Sequence, residues 1–161
     1  MSGIYLLLGT NLGNKLQNIQ RAKVHLTSHK VIVKKESSIY ETDAWGIEHQ
    51  PSFYNQVIEV DQPYSPEKLL EIVLEIEIRM GRQRLQKWGE RIIDIDILYF
   101  NQQVVLTDTL KIPHPGIPER SFTLHPLVEI SPDFLHPALQ LTNTILLEAC
   151  RDNLRVKKLD L

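Results

Sequence analysis

The chain has 161 residues, of which 42% are hydrophobic, and its formal net charge is −2. A chain of this size can bury one ordinary core, so we expect a single domain over residues 1–161. The small net charge gives no general attraction to nucleic acid or to an anionic membrane, and the sequence has no apolar run long enough to span a bilayer. Without a signal-peptide pattern at the N-terminus, the default expectation is a cytoplasmic protein with no nucleic acid or membrane partner.

The first two thirds of the chain alternate between strand patterns and helix patterns. The predicted elements are a strand at 4–8, a helix with the N-cap Asn14, strands at 31–40 and 53–60, a helix between the N-cap Ser65 and the stop signal Gly81, and a strand at 92–100. This order is the β-α-β-β-α-β pattern of the ferredoxin-like fold, an α+β fold with an antiparallel sheet and both helices on one face.

The last third of the chain is richer in proline. Residues 103–106 predict a short edge strand, and a helix from Glu119 is expected to be interrupted by Pro126. A further helix is predicted at 143–150, in which the single cysteine, Cys150, fits a small buried thiol better than a nucleophile. Because this segment is short and apolar, we expect it to cover the other face of the sheet, which places helices on both faces.

The strand GERIIDIDILYF (89–100) carries two carboxylates inside an apolar run. Side chains alternate along a strand, so Asp94 and Asp96 are predicted to share a face with Leu98 and Phe100, opposite Tyr99. Two neighbouring like charges need a positive partner, which is either a metal ion or a set of arginines. The alternative is that this face of the sheet is simply solvated.

A cluster of cations leads directly into these aspartates. Its members are Arg79, Arg82, Arg84, Lys87 and Arg91, against the single acid Glu90. Most charge runs are solvated faces or partners of a helix C-terminus. Cations beside paired acids nevertheless supply what a metal-bound polyphosphate requires, which is carboxylates for Mg²⁺ and guanidinium groups for phosphate oxygens.

Other familiar motifs are missing or incomplete. In GTNLGNKL, three residues separate Gly9 from Gly13 and no Lys-Ser/Thr follows, so this is not a P-loop and both glycines are interpreted as structural turn residues. His114 lies between prolines, which favours a rigidly held ring. The spacing of the histidines does not predict a zinc site. Trp88 lies in a polar, glycine-containing stretch, which suggests a lid or a ligand wall.

The stretch K-W-G-E-R-I-I-D-I-D-I-L (87–98) resembles the signature of the 6-hydroxymethyl-7,8-dihydropterin pyrophosphokinase family. Further segments agree in the same order: Y-L-L-L-G-T-N-L-G-N (5–14), S-I-Y-E-T (38–42), Q-P-S-F-Y-N-Q (50–56), G-R-Q-R (81–84), P-H-P (113–115) and E-R-S-F (119–122). The resemblance implies a monomeric enzyme of folate biosynthesis with a ferredoxin-like core. It would transfer the β,γ-diphosphoryl group of ATP to the hydroxymethyl oxygen of 6-hydroxymethyl-7,8-dihydropterin and release AMP.

The resemblance also implies a role for individual residues. Asp94 and Asp96 would be catalytic and hold two Mg²⁺ ions, Arg82 and Arg91 would be catalytic cations, the ATP site would comprise Arg84, Trp88, Arg91, His114 and Arg120, and the pterin site would comprise Thr42, Phe53, Asn55 and Phe122. The chain departs from the family pattern in two places. The family often has a proline after the threonine that corresponds to Thr42, where this chain has Asp43-Ala44-Trp45, and some members have an aromatic residue where this chain has Pro115.

Two other hypotheses fit part of the same pattern. One is a different metal-dependent phosphotransferase that uses the same aspartates with another acceptor. The other is a ferredoxin-like module that binds a regulatory small molecule and needs neither a metal nor a basic lid.

Overall fold

The computed structural model describes residues 2–43, 51–81 and 92–161. In these ranges the chain forms eight strands and four α-helices. The strands are β1 (Ile4–Thr10), β2 (Ile32–Glu36), β3 (Tyr40–Thr42), β4 (Phe53–Asp61), β5 (Asp94–Phe100), β6 (Val105–Leu106), β7 (Lys111–Ile112) and β8 (Val156–Lys158). The helices are α1 (Lys15–Ser28), α2 (Pro66–Arg79), α3 (Ser121–Ile130) and α4 (Asn143–Ala149), and a 3-10 turn at Ile117–Glu119 precedes α3. None of these helices is long and apolar enough to cross a membrane.

The main sheet has the strand order β5-β1-β4-β3-β8, and β2 pairs with β4 beside β3. Each of these pairs is antiparallel. One face of the sheet packs against α1 and α2 through apolar residues such as Leu6, Ile19 and Ile76. The other face packs against α3 and α4 through Leu7, Leu124 and Leu146. The predicted ferredoxin-like core with helices on both faces is therefore confirmed.

The predicted helix ends are correct where a local side chain determines them. The Gln17 backbone N–H donates to Asn14 Oδ1 at 3.1 Å, and the Lys68 N–H donates to Ser65 Oγ at 3.2 Å. Both bonds satisfy a backbone donor that the first turn of a helix leaves without a partner. Gly81 has a φ of +89°, a conformation that favours glycine and that follows the end of α2.

The strand predicted at 31–40 is wrong, because the structure divides it into β2 and β3. Glu36 is opposite Ile58 and Tyr40 is opposite Asn55, so the chain has one more residue than its partner β4 in this interval. At the break, the Val57 N–H donates to the Ser37 hydroxyl at 3.0 Å. A serine side chain thus replaces a carbonyl as the acceptor, which interrupts the ladder and redirects the chain.

Strand β5 also contains an extra residue, which corrects the predicted faces. Leu6 is opposite Ile97 and Tyr5 is opposite Tyr99, so Leu98 is the bulged residue. Leu98 and Tyr99 both pack in the core under α3 and α4, whereas Phe100 packs with α1 and α2. The prediction was right for Leu98 and wrong for Tyr99 and Phe100, because a bulge reverses the alternation beyond it.

The last third of the chain differs from the prediction in four places. Helix α3 continues through Pro126, which is buried with the apolar side of the helix. Helix α4 ends at Ala149, so Cys150 lies just beyond it and is only half-buried. The strand at 103–106 shrinks to β6, which pairs with β7 in a separate two-stranded sheet. Strand β8, which the sequence pattern did not predict, extends the main sheet beside β3.

A carboxylate on α3 ties this helix to the sheet. Glu129 accepts hydrogen bonds from Tyr40 Oη at 2.8 Å and from Ser38 Oγ at 2.8 Å, and Lys158 Nζ lies 3.6 Å away. Burial raises the pKa of Glu129, but the hydrogen bonds from Tyr40 and Ser38 and the charge of Lys158 outweigh burial and hold the pKa below its ordinary value. The ionised form of Glu129 therefore stabilises the folded state.

We expect Glu129→Gln to lower the melting temperature at pH 7 by about 2–4 °C, which corresponds to about 1 kcal/mol. Because the folded-state pKa is depressed, this stabilisation is complete above the ordinary carboxyl pKa and is lost as the pH falls through the folded-state pKa. Melting curves of both proteins from pH 7 down to pH 3 should therefore converge. Glu75→Gln, which removes an exposed pair with Arg79, is the control and should change little. A difference that does not depend on pH would contradict the role of the charge.

Candidate active site

One end of the sheet forms the floor of a cavity. The register determines which side chains meet there, because Gly9 on β1 is opposite both Asp94 on β5 and Asn55 on β4. On the same face, Leu7 is opposite Asp96. The remaining wall comes from the end of β3 and the start of α3. The lining residues are Leu7, Gly9, Thr42, Asp43, Phe53, Asn55, Asp94, Asp96, Arg120 and Phe122.

Gly9 makes room for the side chain of Asn55. A Cβ atom at position 9 would lie 2.9 Å from Asn55 Oδ1, a distance that real contacts do not show. Asn55 is buried, and its amide donates to Thr42 Oγ1 at 3.1 Å. The prediction that Gly9 belongs to a turn is wrong, because Gly9 lies inside β1 and only Gly13 lies in the turn. The missing side chain at Gly9 leaves the space that the Asn55 amide oxygen occupies.

The cavity is bordered by two phenylalanine rings and one guanidinium group. Phe53 is the first residue of β4, and Phe122 is the second residue of α3. The Arg120 guanidinium carbon lies 5.8 Å from the centre of the Phe122 ring. A Cβ atom at Gly116 would lie 2.8 Å from Arg120 Nε, so the glycine leaves the space that the arginine side chain fills. The cavity thus brings together the four residues predicted for the pterin site, which are Thr42, Phe53, Asn55 and Phe122. It also contains Arg120, which was predicted for the ATP site.

A groove that is larger than the cavity lies on the other side of β5. Its walls are the outer face of α2 and the segment that contains β7 and the proline-rich loop. The lining residues are Leu70, Leu74, Glu77, Asp94, Ile95, Asp96, Ile97, Asp108, Thr109, Leu110, Lys111, His114 and Pro115. Arg120 does not line this groove, although it was predicted among the ATP-binding residues.

Asp94 and Asp96 line both the cavity and the groove. Among the residues that the structure describes, they are the two that these spaces share. Both side chains are half-buried. The two aspartates therefore lie at the boundary between the two spaces, which we call the passage.

His114 lies beside this passage. Its backbone N–H donates to the carbonyl of the bulged residue Leu98 at 2.9 Å, and the Gly116 N–H donates to its Nδ1 atom at 2.9 Å. The other ring nitrogen, Nε2, lies 3.9 Å from Asp96 Oδ2. Burial and the positive charge of Arg120 lower the pKa of His114 to about 4, although Asp94 acts in the opposite direction. The ring is therefore neutral at pH 7, with Nδ1 as the acceptor and the proton on Nε2 towards Asp96.

Glu77 is a residue of the groove that the sequence pattern did not identify. It lies on α2 and is buried, and its Oε2 atom accepts the Ile95 backbone N–H at 2.7 Å. Ile95 separates the two aspartates, so this bond fixes the backbone from which both project. An acid on an amphipathic helix is ordinarily assigned to the solvent face, which is why the pattern gave no signal.

Several predicted site residues lie outside the described residues. They are Arg82, Arg84, Trp88 and Arg91. Trp45, which belongs to the first departure from the family pattern, also lies outside the described residues.

Within the described ranges, no group of three or more histidine, cysteine or acidic side chains lies close enough to hold a metal ion. Paired carboxylates suit Mg²⁺, which is usually bound in proteins by one or two carboxylates together with water and substrate phosphates. The donor set of Asp94 and Asp96 therefore fits that ion.

Two spaces that adjoin at paired carboxylates suit a transferase, because such an enzyme must hold two small molecules side by side. The family model described as 7,8-dihydro-6-hydroxymethylpterin-pyrophosphokinase (HPPK) matches residues 5–132. The chain belongs to this family. It is therefore an enzyme of folate biosynthesis that transfers the pyrophosphoryl group of ATP to 6-hydroxymethyl-7,8-dihydropterin.

Individual proteins agree with the family match. The chain is 39% identical to 2-amino-4-hydroxy-6-hydroxymethyldihydropteridine pyrophosphokinase of Aquifex aeolicus over 137 residues, which is 85% of each protein. It is 42% identical to the protein of that name from Bacillus subtilis over 127 residues, covering 78% of this chain and 76% of the relative. The folic acid synthesis protein FOL1 of Dictyostelium discoideum is 41% identical over 86% of this chain, which corresponds to 21% of that protein.

Solved structures share the fold. A crystal structure of Plasmodium falciparum HPPK-DHPS superposes with a TM-score of 0.71 over 91% of this chain at 19% identity. This chain spans 43% of the length of that one.

We expect Gly9→Ala to push the Asn55 amide away from Thr42 while the sheet stays folded. The substrate that occupies the cavity should then bind about tenfold more weakly, because a hydrogen-bonding group buried in the cavity loses its position. Calorimetric titrations with the pterin and with a non-hydrolysable ATP analogue, each alone, would show which affinity falls.

Asn55→Ala provides the matching variant for this test. Because both substitutions act on one amide, adding Gly9→Ala to Asn55→Ala should cause no further loss of affinity. Additive losses in this double-mutant cycle would mean that the methyl group at position 9 acts on something other than Asn55.

Proposed function

We propose that the pterin binds in the cavity, that ATP binds in the groove, and that Asp94 and Asp96 hold two Mg²⁺ ions at the passage between them. The observation that carries this proposal is that the two aspartates line both spaces. When bound, such ions would neutralise the triphosphate and favour loss of the hydroxyl proton. Transfer between two bound molecules depends chiefly on their alignment and on stabilisation of the charge that develops. Ions held at the passage would provide both.

The chemistry of the cavity suits a flat, polar bicycle. Phe53 and Phe122 offer apolar ring faces, which bind a planar heterocycle by stacking. The buried Asn55 amide and the Thr42 hydroxyl offer hydrogen-bonding groups at the floor. We propose that the rings supply affinity and that Asn55 with Thr42 supplies discrimination, because an unmade hydrogen bond in a buried slot is costly.

The groove suits a nucleotide for a different reason. Leu70 and Leu74 on α2 and Leu110 across the groove provide apolar walls for a base, and Lys111 provides a positive charge at the rim. His114 lies where the triphosphate would approach the aspartates, and its Nε2 proton can be donated to a phosphate oxygen. Arg120 lies on the cavity side of the same passage, so we propose that it contacts the transferred phosphates and not the nucleoside.

The predicted roles of the four residues outside the described ranges remain part of the proposal. Arg82 and Arg91 would contact the phosphates, and Arg84 with Trp88 would close over ATP. Closure of that kind excludes water, which competes with the pterin hydroxyl as the acceptor. We propose further that the chain acts as a monomer, with residues 1–161 as a single unit. A cytoplasmic location would give this unit access to ATP.

The direct test is incubation with ATP, Mg²⁺ and 6-hydroxymethyl-7,8-dihydropterin, followed by chromatography of the products. Appearance of AMP with a pyrophosphorylated pterin supports the proposal. Appearance of ADP with a monophosphorylated pterin would indicate single phosphoryl transfer instead.

We expect Asp94→Ala and Asp96→Ala each to lower turnover by several orders of magnitude, because each removes half of the proposed metal site. Neither should lower the melting temperature of the metal-free protein, since each removes repulsion between neighbouring carboxylates. Asp61→Ala, at the exposed end of β4, is the matched control and should keep full turnover. Normal turnover in either site variant would exclude the metal role, and loss of folding would leave stability as the function of the carboxylate.

Removal of one ring from the cavity tests the substrate assignment. Phe53→Ala and Phe122→Ala should each weaken pterin binding by about 10- to 100-fold, which is the range expected for losing one stacking contact. The affinity for an ATP analogue should change less than twofold. If the analogue loses affinity while the pterin does not, the two substrates have been assigned to the wrong spaces.

A further inference from the structure

Helix α3 begins in an unusual way for this chain. Its N-cap residue is Arg120, whose side chain makes no capping hydrogen bond. The other three α-helices are capped locally, by Asn14, Ser65 and Thr142. Arginine has no acceptor to offer a backbone N–H, and this side chain instead lies over Gly116 and beside the Phe122 ring. The first turn of α3 therefore needs an acceptor from elsewhere.

Asp152 supplies this acceptor from the C-terminal segment. Its Oδ2 atom accepts the Ser121 backbone N–H at 3.0 Å and the Ser121 hydroxyl at 3.1 Å. Its Oδ1 atom accepts the Leu154 N–H at 3.0 Å, and this local hydrogen bond fixes the orientation of the carboxylate towards α3. A negative charge at this end of a helix is also favourable because it faces the positive end of the helix dipole.

Ser121 stands between two residues of the cavity. Arg120 precedes it, Phe122 follows it, and both line the cavity together with Phe53 on the opposite wall. Ser121 itself is buried, so its contacts with Asp152 fix the backbone from which these two side chains leave. The family match ends at residue 132, so this support comes from a part of the chain outside the matched region.

We propose that Asp152 is a positioning residue for the transfer reaction. It holds the first turn of α3 through Ser121, and it thereby sets the distance between Phe122 and the opposite ring and the direction of Arg120. Asp152 is not among the described residues that line the cavity, so its effect on substrate reaches the site through its contacts with Ser121. This inference rests on the proposed assignment of the cavity to the pterin.

The test compares pterin binding to Asp152→Ala, Asp152→Asn and the parent protein by calorimetry, which gives the Kd and the number of binding sites separately. We expect Asp152→Ala to raise the Kd about tenfold with the number of sites unchanged. Asp152→Asn retains an oxygen that can accept from Ser121, so its Kd should lie between those of the other two. Asp160→Ala changes an exposed acid of the same segment and should stay within twofold of the parent.

A purely structural role would give a different result. Asp152→Ala would then show fewer binding sites or a lower melting temperature at an unchanged Kd, and this outcome would overturn the inference. Exchange of the Ser121 amide hydrogen gives a readout that needs no substrate. Faster exchange in Asp152→Ala supports the cap, and unchanged protection overturns it. Failure of the parent protein to bind the pterin would count against the proposed function, and amide exchange would still show whether Asp152 caps α3.

Discussion

The arrangement of the site follows from two carboxylates held side by side on one strand. Asp94 and Asp96 project from the same face of β5, and like charges at that spacing need cations or hydrogen-bond donors around them. The sheet register gives the pair a neighbour without a side chain, Gly9, and leaves both acids half-buried between two spaces. Because β5 is an edge strand, this placement leaves a space on either side of the pair.

A bulge connects this strand to the loop that carries His114. The carbonyl of the bulged residue Leu98 accepts the His114 N–H, so the proline-rich loop is fastened to β5 just beyond the aspartates. The Gly116 N–H then orients the ring, so that Nε2 lies towards Asp96. The bulge therefore determines the packing of Tyr99, and the carbonyl of the bulged residue helps to fix the position of His114.

Sequence reasoning predicted the order of the core elements, the N-caps of α1 and α2 and the shared face of the two aspartates, because each depends on local residue type and spacing. It failed where one residue changes a register that a distant strand determines, as at Ser37 and Leu98. Strand β8 was missed because its partner lies far away in the sequence, and Glu77 was missed because an acid on a helix looks solvent-exposed. The role of Gly9 depends on a side chain of another strand, which no local pattern reveals.

The layer of α3 and α4 is part of the site as well as a cover for the sheet. The sheet supplies Asp94, Asp96, Asn55 and Phe53, whereas α3 supplies the opposite ring, so the width of the cavity depends on how this layer sits on the sheet. Buried polar contacts fix that relation. Tyr5 Oη lies 2.8 Å from Ser131 Oγ, and Tyr99 Oη donates to Asn143 Oδ1 at 2.8 Å. The Phe134 ring fills the space between these two tyrosines, with ring centres 5.1 Å and 4.5 Å away. Since hydrogen bonds of this kind fix orientation in addition to burying area, the same core that stabilises the fold also sets the geometry of the two rings.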